Sequence, residues 1–407
     1  MRKLFLLGFG LLFLFPSVAQ KKNFTYKFYG FVRGDLFYNS RANMAPVDGN
    51  FYLFPLDKIP DADGKDLNAN PNGSFYTFTS RLGVDLTGPM IGKARSSAKV
   101  EMDFGGFSAS TTMLRLRQAY VALDWEKSNV TIGQTWHPLF GSVCPDILNL
   151  CTGAPFQPFN RSPLIRYQYS AGNVKLTGAA IWQLQYMSNG PKGMSEDYIK
   201  NSCVPELYVG ADFSSPDGLL VGAGIHMISL KPRTSSAWNE KVYKVNERMT
   251  ALSYEAHLKY AGPNFTVAAK SLLASSLDHA ALIGGYGISS VDPATGEQEY
   301  TPFRHSTSWV NFTYGKKWKY ALFLGYTKNL GTGKELVSPT VYGTGLNIDQ
   351  LVTANVNFSY NLPHWQIGFE YSPATAYYGS LNAINGKVEK THAVTNHRIL
   401  GLVMYYF

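Results

Sequence analysis

The feature that most restricts this chain is an alternation of apolar and polar side chains that recurs along its whole length. In Tyr26–Tyr38 the even positions are Tyr26, Phe28, Gly30, Val32, Gly34, Leu36 and Tyr38, while the odd ones include Lys27, Arg33 and Asp35. Successive side chains of a strand point to opposite faces, so one face of this segment is apolar and the other wet. Phe78, Ser80, Leu82, Val84 and Leu86 likewise oppose Thr77, Thr79, Arg81 and Asp85, and Ala98, Val100, Met102 and Phe104 oppose Lys99, Glu101 and Asp103. Later strands are expected near Met113–Trp125, Val130–Trp136, Pro163–Tyr169, Val174–Tyr186, Glu206–Phe213, Leu219–Leu230, Met249–Tyr260 and Phe265–Ser275. The last five fall near Phe303–Tyr314, Trp318–Lys328, Leu351–Tyr360, Trp365–Ser372 and Val394–Phe407. Parity blurs in Met113–Trp125, where Val121 and Leu123 share a face with Arg115 and Arg117.

The connections add a second constraint. Short turns at Gly88–Gly92, Glu126–Asn129, Ser170–Asn173, Ser214–Gly218, Ala261–Asn264, Gly315–Lys317 and Asn361–His364 alternate with long loops near 39–74, 105–112, 138–162, 187–203, 231–248, 276–302, 331–349 and 373–392. Strict alternation of short periplasmic turns and long external loops is the topology of an outer-membrane barrel. The expected fold is therefore all-β, a transmembrane antiparallel β-barrel of about 16 strands in the outer membrane of a Gram-negative bacterium. The last strand places Ile399, Gly401, Val403, Tyr405 and Phe407 on one face and must pair with Tyr26–Tyr38, because an open edge cannot survive in lipid. A terminal aromatic on such a strand resembles the signal read by the outer-membrane assembly machinery.

Met1-Arg2-Lys3, the apolar run Leu4–Phe15 and the small-x-small site Ser17-Val18-Ala19 read as a secretory signal peptide over residues 1–19, leaving one barrel domain over 20–407. No apolar run reaches the roughly 20 residues of a transmembrane helix. Charged residues make up 16% of the chain, against about 25% in a typical soluble domain. The surplus of aromatics, with 26 Tyr and 25 Phe, suits girdles at the two lipid interfaces. A formal net charge of +9 in an exported chain without a clustered basic tail argues for a charged cavity rather than nucleic acid.

One connection is unlike the rest. Trp136–Tyr169 carries Phe140, Ile147, Leu148, Leu150, Phe156 and Phe159, several prolines, and two of the three cysteines. Its apolar side chains need a surface to pack on, so it is expected to fold into the lumen between strands 5 and 6 and narrow it. Phe156 and Phe159 would anchor it to the wall and turn Asn160 and Arg161 toward the pore. Arg161 capping backbone carbonyls is the competing reading. Cys144 and Cys151 are the expected disulfide in an oxidising compartment, with Cys203 as the competing partner.

Antiparallel strands put Arg33, Arg81 and Lys99 at similar depth, with Arg117 slightly higher and Arg166 mid-strand; Gly133 takes the matching place on the fifth strand and leaves room for the loop. A basic stripe in a water-filled lumen draws small anionic solutes inward. Asp35, Asp85, Glu101 and Asp103 lie on the same faces, so paired wall charges are the alternative. No catalytic set can be assembled, and the eight histidines show no metal-ligand spacing, so neither an enzyme, a cofactor nor a metal is expected.

The segments YGFVRGDLFY, RLRQAYVALDW followed by VTIGQTWHPLF, and TGAPFQPFNRSPLIRYQY resemble the DcaP-type outer-membrane porins. The resemblance spans nearly the whole chain after the leader and is specific in residues 26–38 and 115–169. It implies a trimer of sixteen-stranded barrels that passes small anions, notably dicarboxylates, through a constriction formed by Arg33, Arg81, Arg115, Arg117, Arg161 and Arg166. Only a few residues separate Gln20 from the first strand, which leaves no length for the helical stalk that some members carry. Two rivals remain at this point. In a sugar-type porin the aromatics would form a track inside the lumen, whereas Tyr254, Tyr260, Tyr314, Trp318, Tyr320, Tyr326 and Trp365 fall on the lipid-face parity. A surface adhesin would instead use the long loops.

Overall fold

A computed structural model describes residues 24–46, 50–105 and 113–407. The leader expected over 1–19 lies outside them, as do parts of the first two long loops. Sixteen strands form the barrel: β1 Thr25–Asn39, β2 Arg81–Ile91, β3 Ala94–Asp103, β4 Arg115–Asp124, β5 Ser128–Trp136, β6 Arg161–Ala171, β7 Val174–Ile181 and β8 Glu206–Ser214. They continue as β9 Leu219–Leu230, β10 Met249–Ala261, β11 Phe265–Ser275, β12 Gln298–Tyr314, β13 Trp318–Thr332, β14 Ile348–Asn361, β15 Trp365–Leu381 and β16 Val388–Tyr406. Each pairs antiparallel with the next, and β16 closes on β1 in a register running from Phe31↔Tyr406 to Asn39↔Arg398. Among the described residues no helix is long and apolar enough to cross a membrane. The strands do so.

The alternation appears as two unlike surfaces. On β1, Tyr26, Phe28, Val32, Leu36 and Tyr38 are exposed outward, while Arg33, Asp35, Phe37 and Asn39 are buried inside. Tyr254, Tyr260, Tyr314, Trp318, Tyr320, Tyr326 and Trp365 are all exposed on the outer face, where amphipathic rings suit a lipid interface.

The parity break in β4 has a local cause. Glu101 stands opposite Gln118 but Met102 opposite Leu116, so Arg117 is the extra residue of a β-bulge. Arg115, Arg117 and Gln118 are all buried, while Leu116 and Val121 point outward. Two arginines and a glutamine thus enter one short stretch of wall.

Two strand limits depart from expectation. Thr77–Ser80 is not strand; a short strand, Asn72–Tyr76, pairs with the upper part of β1, and β2 begins only at Arg81. Phe78 is consequently buried and rests on the Tyr76 ring instead of facing lipid. The loop expected over 373–392 is mostly hairpin, because β15 runs to Leu381 and β16 starts at Val388. There Ala376, Tyr378 and Val394 pack into an apolar cluster with Phe54, and Tyr378 Oη donates to the Pro55 carbonyl at 2.6 Å. Burial holds these residues in strand geometry that propensity alone does not demand.

The stretch from His137 to Asn160 lies inside the barrel. The His137 amide donates to the Asn160 carbonyl and closes its base. From there it crosses to the opposite wall. Lys270 of β11 donates to the Leu139 and Phe140 carbonyls at 2.8 Å, Trp309 of β12 donates to Gln157 at 3.0 Å, and the Leu148 amide donates to Glu370 of β15 at 2.6 Å. Phe156 lies flat on Gly325, where an added Cβ would stand 2.6 Å from the ring. Phe159 packs edge-on against Phe51 and Trp136. Both phenylalanines anchor the segment.

Candidate functional site: a charged inner wall facing the infolded segment

The inner face of β1 to β4 carries a ladder of ions at one level of the lumen. Arg33 grips Asp35 with Nε at 2.8 Å from Oδ2 and Nη2 at 2.7 Å from Oδ1, and Nη2 also donates to the Leu148 carbonyl at 2.8 Å. Arg115 holds Asp103 through Nε at 2.9 Å and Nη2 at 2.7 Å. Arg117 bridges two acids, Glu101 at 2.8 Å and Asp103 at 2.9 Å. These three arginines are buried. Fork-on-carboxylate geometry saturates the acids and fixes the guanidinium planes.

Arg81 and Lys99 differ. Arg81 reaches Glu101 only at 3.8 Å, a carboxylate already engaged by Arg117, and its guanidinium lies over the Phe31 ring at 4.8 Å with 21% of the side chain exposed. Lys99 pairs with Asp85 at 3.0 Å, rests on the Tyr29 ring at 4.7 Å, and leaves 24% of its side chain exposed. Arg166 on β6 is partly exposed, and its guanidinium donates to the Thr131 hydroxyl at 3.4 Å, with no carboxylate in ion-pair range among the described residues. Within the ladder, Arg33, Arg81, Lys99, Arg115 and Arg117 therefore meet Asp35, Asp85, Glu101 and Asp103, and Arg166 adds a sixth positive charge. The ladder stays net positive; Lys99 is offset by Asp85, whose side chain is 46% exposed, so the accessible uncompensated cations are Arg81 and Arg166.

Two expected pore residues are not at the pore. Arg161 is 0% exposed, its guanidinium enclosed by the rings of Trp136, Phe159 and Tyr186 at 4.7, 5.2 and 5.4 Å, and Nη2 donates to the Tyr186 hydroxyl at 2.7 Å. Neither pore lining nor carbonyl capping describes it; an aromatic cage does. Asn160 is also buried, donating to the His279 carbonyl at 3.0 Å and accepting from Ser162 at 2.6 Å. Both side chains fasten the end of the infolded segment to its surroundings. The sequence placed them on a loop, and only packing shows that the loop end is enclosed.

The expected Cys144–Cys151 disulfide is absent, and all three cysteines are free thiols. Cys151 is buried in the apolar cluster around Phe156, while Cys144 donates weakly to the Phe140 and Gly141 carbonyls at 3.8 and 3.9 Å. Burial pushes the Cys144 thiol up to about 11 and the Cys151 thiol up to about 12. The segment is braced by hydrogen bonds and ring packing.

Gly133 has a different reason from the one expected. Its φ is +129°, and a Cβ there would stand 2.3 Å from the Ala119 carbonyl oxygen, so the close approach is to β4 and not to the infolded segment.

A second polar row, missed from the sequence, lines β7 to β10. Lys175 pairs with Asp212 at 2.8 Å, His257 bridges Asp212 at 3.0 Å and Glu255 at 2.9 Å, and Tyr208 donates to Glu255 at 2.9 Å. Its signal was present in the shared parity of Glu255, His257 and Lys259. On the loop side a cavity of about 890 Å³ opens above the wall, largely apolar, with Phe51, Leu184, Tyr186 and Met194 among its lining and Arg115 and Asp278 as polar points.

The model of the DcaP outer membrane protein family matches residues 16–259. No curated protein matches the sequence. Among solved structures, the outer membrane channel DcaP of Acinetobacter baumannii superposes with a TM-score of 0.66 at 17% identity, covering 95% of this chain and 99% of that one. The trimer form of OmpT of Vibrio cholerae gives 0.56 at 14% identity over 95% and 100%, and an anion-selective porin from Comamonas acidovorans gives 0.56 at 10% over 94% and 100%. These likenesses agree with a closed sixteen-stranded barrel. The matched residues span more than half of the sequence and include the infolded segment and most of the charged wall, and so the chain belongs to the DcaP outer membrane protein family.

Proposed function

We propose that this protein is a porin, a passive diffusion channel for small hydrophilic solutes that prefers anions. The observation that carries the preference is the inequality of the wall: Asp35, Glu101 and Asp103 are buried in pairs and Lys99 and Asp85 offset one another, whereas Arg81 and Arg166 remain partly exposed with no carboxylate of their own. In a narrow lumen with low-dielectric walls, fixed positive charge raises local anion concentration. A carboxylate solute exchanges part of its hydration for charge-assisted hydrogen bonds to these groups, and mere partial exposure keeps the binding weak enough for release. Dicarboxylates, which the family resemblance implies, match a wall that offers cations at several positions. The trimer form of the V. cholerae barrel supports a homotrimer here, and the leader and terminal aromatic of the sequence support cleavage after Ala19 and folding into outer-membrane lipid by the assembly machinery.

Reversal potentials across a salt gradient test the reading. Replacing Arg81 and Arg166 together by Ser should erase most anion preference while conductance persists. An unchanged reversal potential in well-folded channels would reject these residues as the selectivity element and leave them as wall.

A further inference from the structure

Four side chains outside the charged ladder converge beside β8 and β9. Glu206 opens β8, His226 lies on β9, His137 begins the infolded segment after β5, and His279 sits in the short 3-10 turn Asp278–Ala280 after β11. The Nε2 atoms of His137, His226 and His279 stand 3.3, 2.9 and 3.1 Å from one and the same oxygen, Glu206 Oε2. All four potential ligand atoms lie within 4.8 Å of one another, and none of the four side chains is more than 1% exposed.

A hydrogen-bonded carboxylate does not require this arrangement. Glu206 Oε1 already accepts from Gln183 Nε2 at 2.7 Å, and two donors would fill the lone pairs of Oε2. The far nitrogens, Nδ1 of His226 and of His279, have no partner, so the rings are fixed by what lies at their Nε2 ends. Three imidazoles and one carboxylate are a zinc-type donor set. Ligand atoms about 2.0–2.1 Å from a tetrahedral ion stand about 3.3 Å apart, close to the nitrogen–oxygen separations here. The wider nitrogen–nitrogen gaps close toward that length when an ion enters.

His137 stands apart from the other two. Its Nδ1 accepts the Leu139 amide at 3.1 Å, which leaves its ring proton on Nε2. Ligation would shift that proton to Nδ1 and break the contact with Leu139. We propose that His226, His279 and Glu206, with His137 as a weaker fourth ligand, bind one divalent transition-metal ion of the zinc type. Four protein ligands leave no open position, so the ion is structural. It ties the base of the infolded segment and the turn after β11 to the β8–β9 wall, and thereby braces the constriction.

The test uses the untagged full chain, refolded into detergent with excess Co²⁺ or Zn²⁺ and then desalted, with folding checked by heat-modifiable migration. One ion per chain is expected, and the cobalt form should show the intense visible bands of a four-coordinate site. Glu206→Gln and His226→Gln should lose the ion, while His137→Gln should retain it with affinity weakened by about tenfold or more. A folded wild-type chain without stoichiometric ion overturns the proposal. So does full occupancy in both folded Glu206→Gln and His226→Gln, which would put the ion elsewhere. Should those variants not fold, the wild-type cobalt spectrum decides, since an adventitious surface ion is six-coordinate and almost colourless.

Discussion

Arg161 and Arg81 show how differently two arginines of one inner wall are used. Arg161 is enclosed by three aromatic rings, whereas Arg81 lies over one ring with part of its side chain in solvent. Arg161→Met should therefore keep the selectivity of the channel but loosen the end of the infolded segment, by about 1–2 kcal/mol of lost cation–ring attraction. Proteolysis of the folded channel and reversal potentials, measured together, separate the two effects. Asp103 carries a heavier burden, since both Arg115 and Arg117 donate to it. Asp103→Asn strips the buried Arg115 of the carboxylate it holds through two nitrogens and leaves Arg117 with Glu101 alone, a loss of about 3–5 kcal/mol, seen as a lower temperature for the heat-modifiable transition. At Gly133, alanine would place its Cβ against the Ala119 carbonyl at a φ of +129°, so Gly133→Ala should sharply reduce the folded fraction on a gel. The cysteines report burial directly. Cys203 is exposed, and maleimide should label one thiol in the native channel but three after denaturation, because Cys151 is buried and the half-buried Cys144, like it, holds little thiolate at neutral pH.

At the scale of elements, the infolded segment depends on its hydrogen bonds to the far wall. Lys270 holds two consecutive carbonyls, Trp309 holds Gln157, and Glu370 accepts the Leu148 and Asn149 amides. Lys270→Met removes the donor to Leu139 and Phe140 and should raise single-channel conductance and current noise as the segment loosens. An unchanged conductance would mean that the Trp309 and Glu370 hydrogen bonds and ring packing on Gly325 and Phe323 fix its position without Lys270. The β-bulge at Arg117 acts on the same scale: one extra residue turns Arg115, Arg117 and Gln118 all inward, which a regular strand cannot do. The β15–β16 hairpin owes its length to the loop beneath it, through Tyr378 and Pro55.

For the whole molecule, selectivity is a property of summed charge and therefore of salt. At about 0.15 M the screening length is near 8 Å, so fixed cations act well into the lumen; at 1 M it falls to roughly 3 Å, and only ions touching the wall feel them. Anion preference should decline steadily between these salts in wild-type channels. A preference that holds constant would point to size exclusion by the infolded segment. The outer surface has its own requirement, because every strand edge is paired around the ring and apolar side chains face lipid along its length.

Alternation, connection lengths and the C-terminal apolar face determined the barrel, its strand number and its two surfaces, because a period of two in a chain without long apolar runs has few solutions in a membrane. The infolded segment was legible too, since Phe140, Phe156 and Phe159 had to find a surface. Tertiary structure alone decided the rest. Whether Arg33, Arg115 and Arg117 meet solute or carboxylates depends on register and a bulge, and parity cannot tell one inward residue from another in depth or partner. Arg161 and Asn160 were assigned to the pore by position in a loop, but rings and carbonyls from four separate segments enclose them. The assembly of His137, Glu206, His226 and His279 was illegible for the same reason: residues far apart along the chain become neighbours only when the barrel closes and the loops fold in.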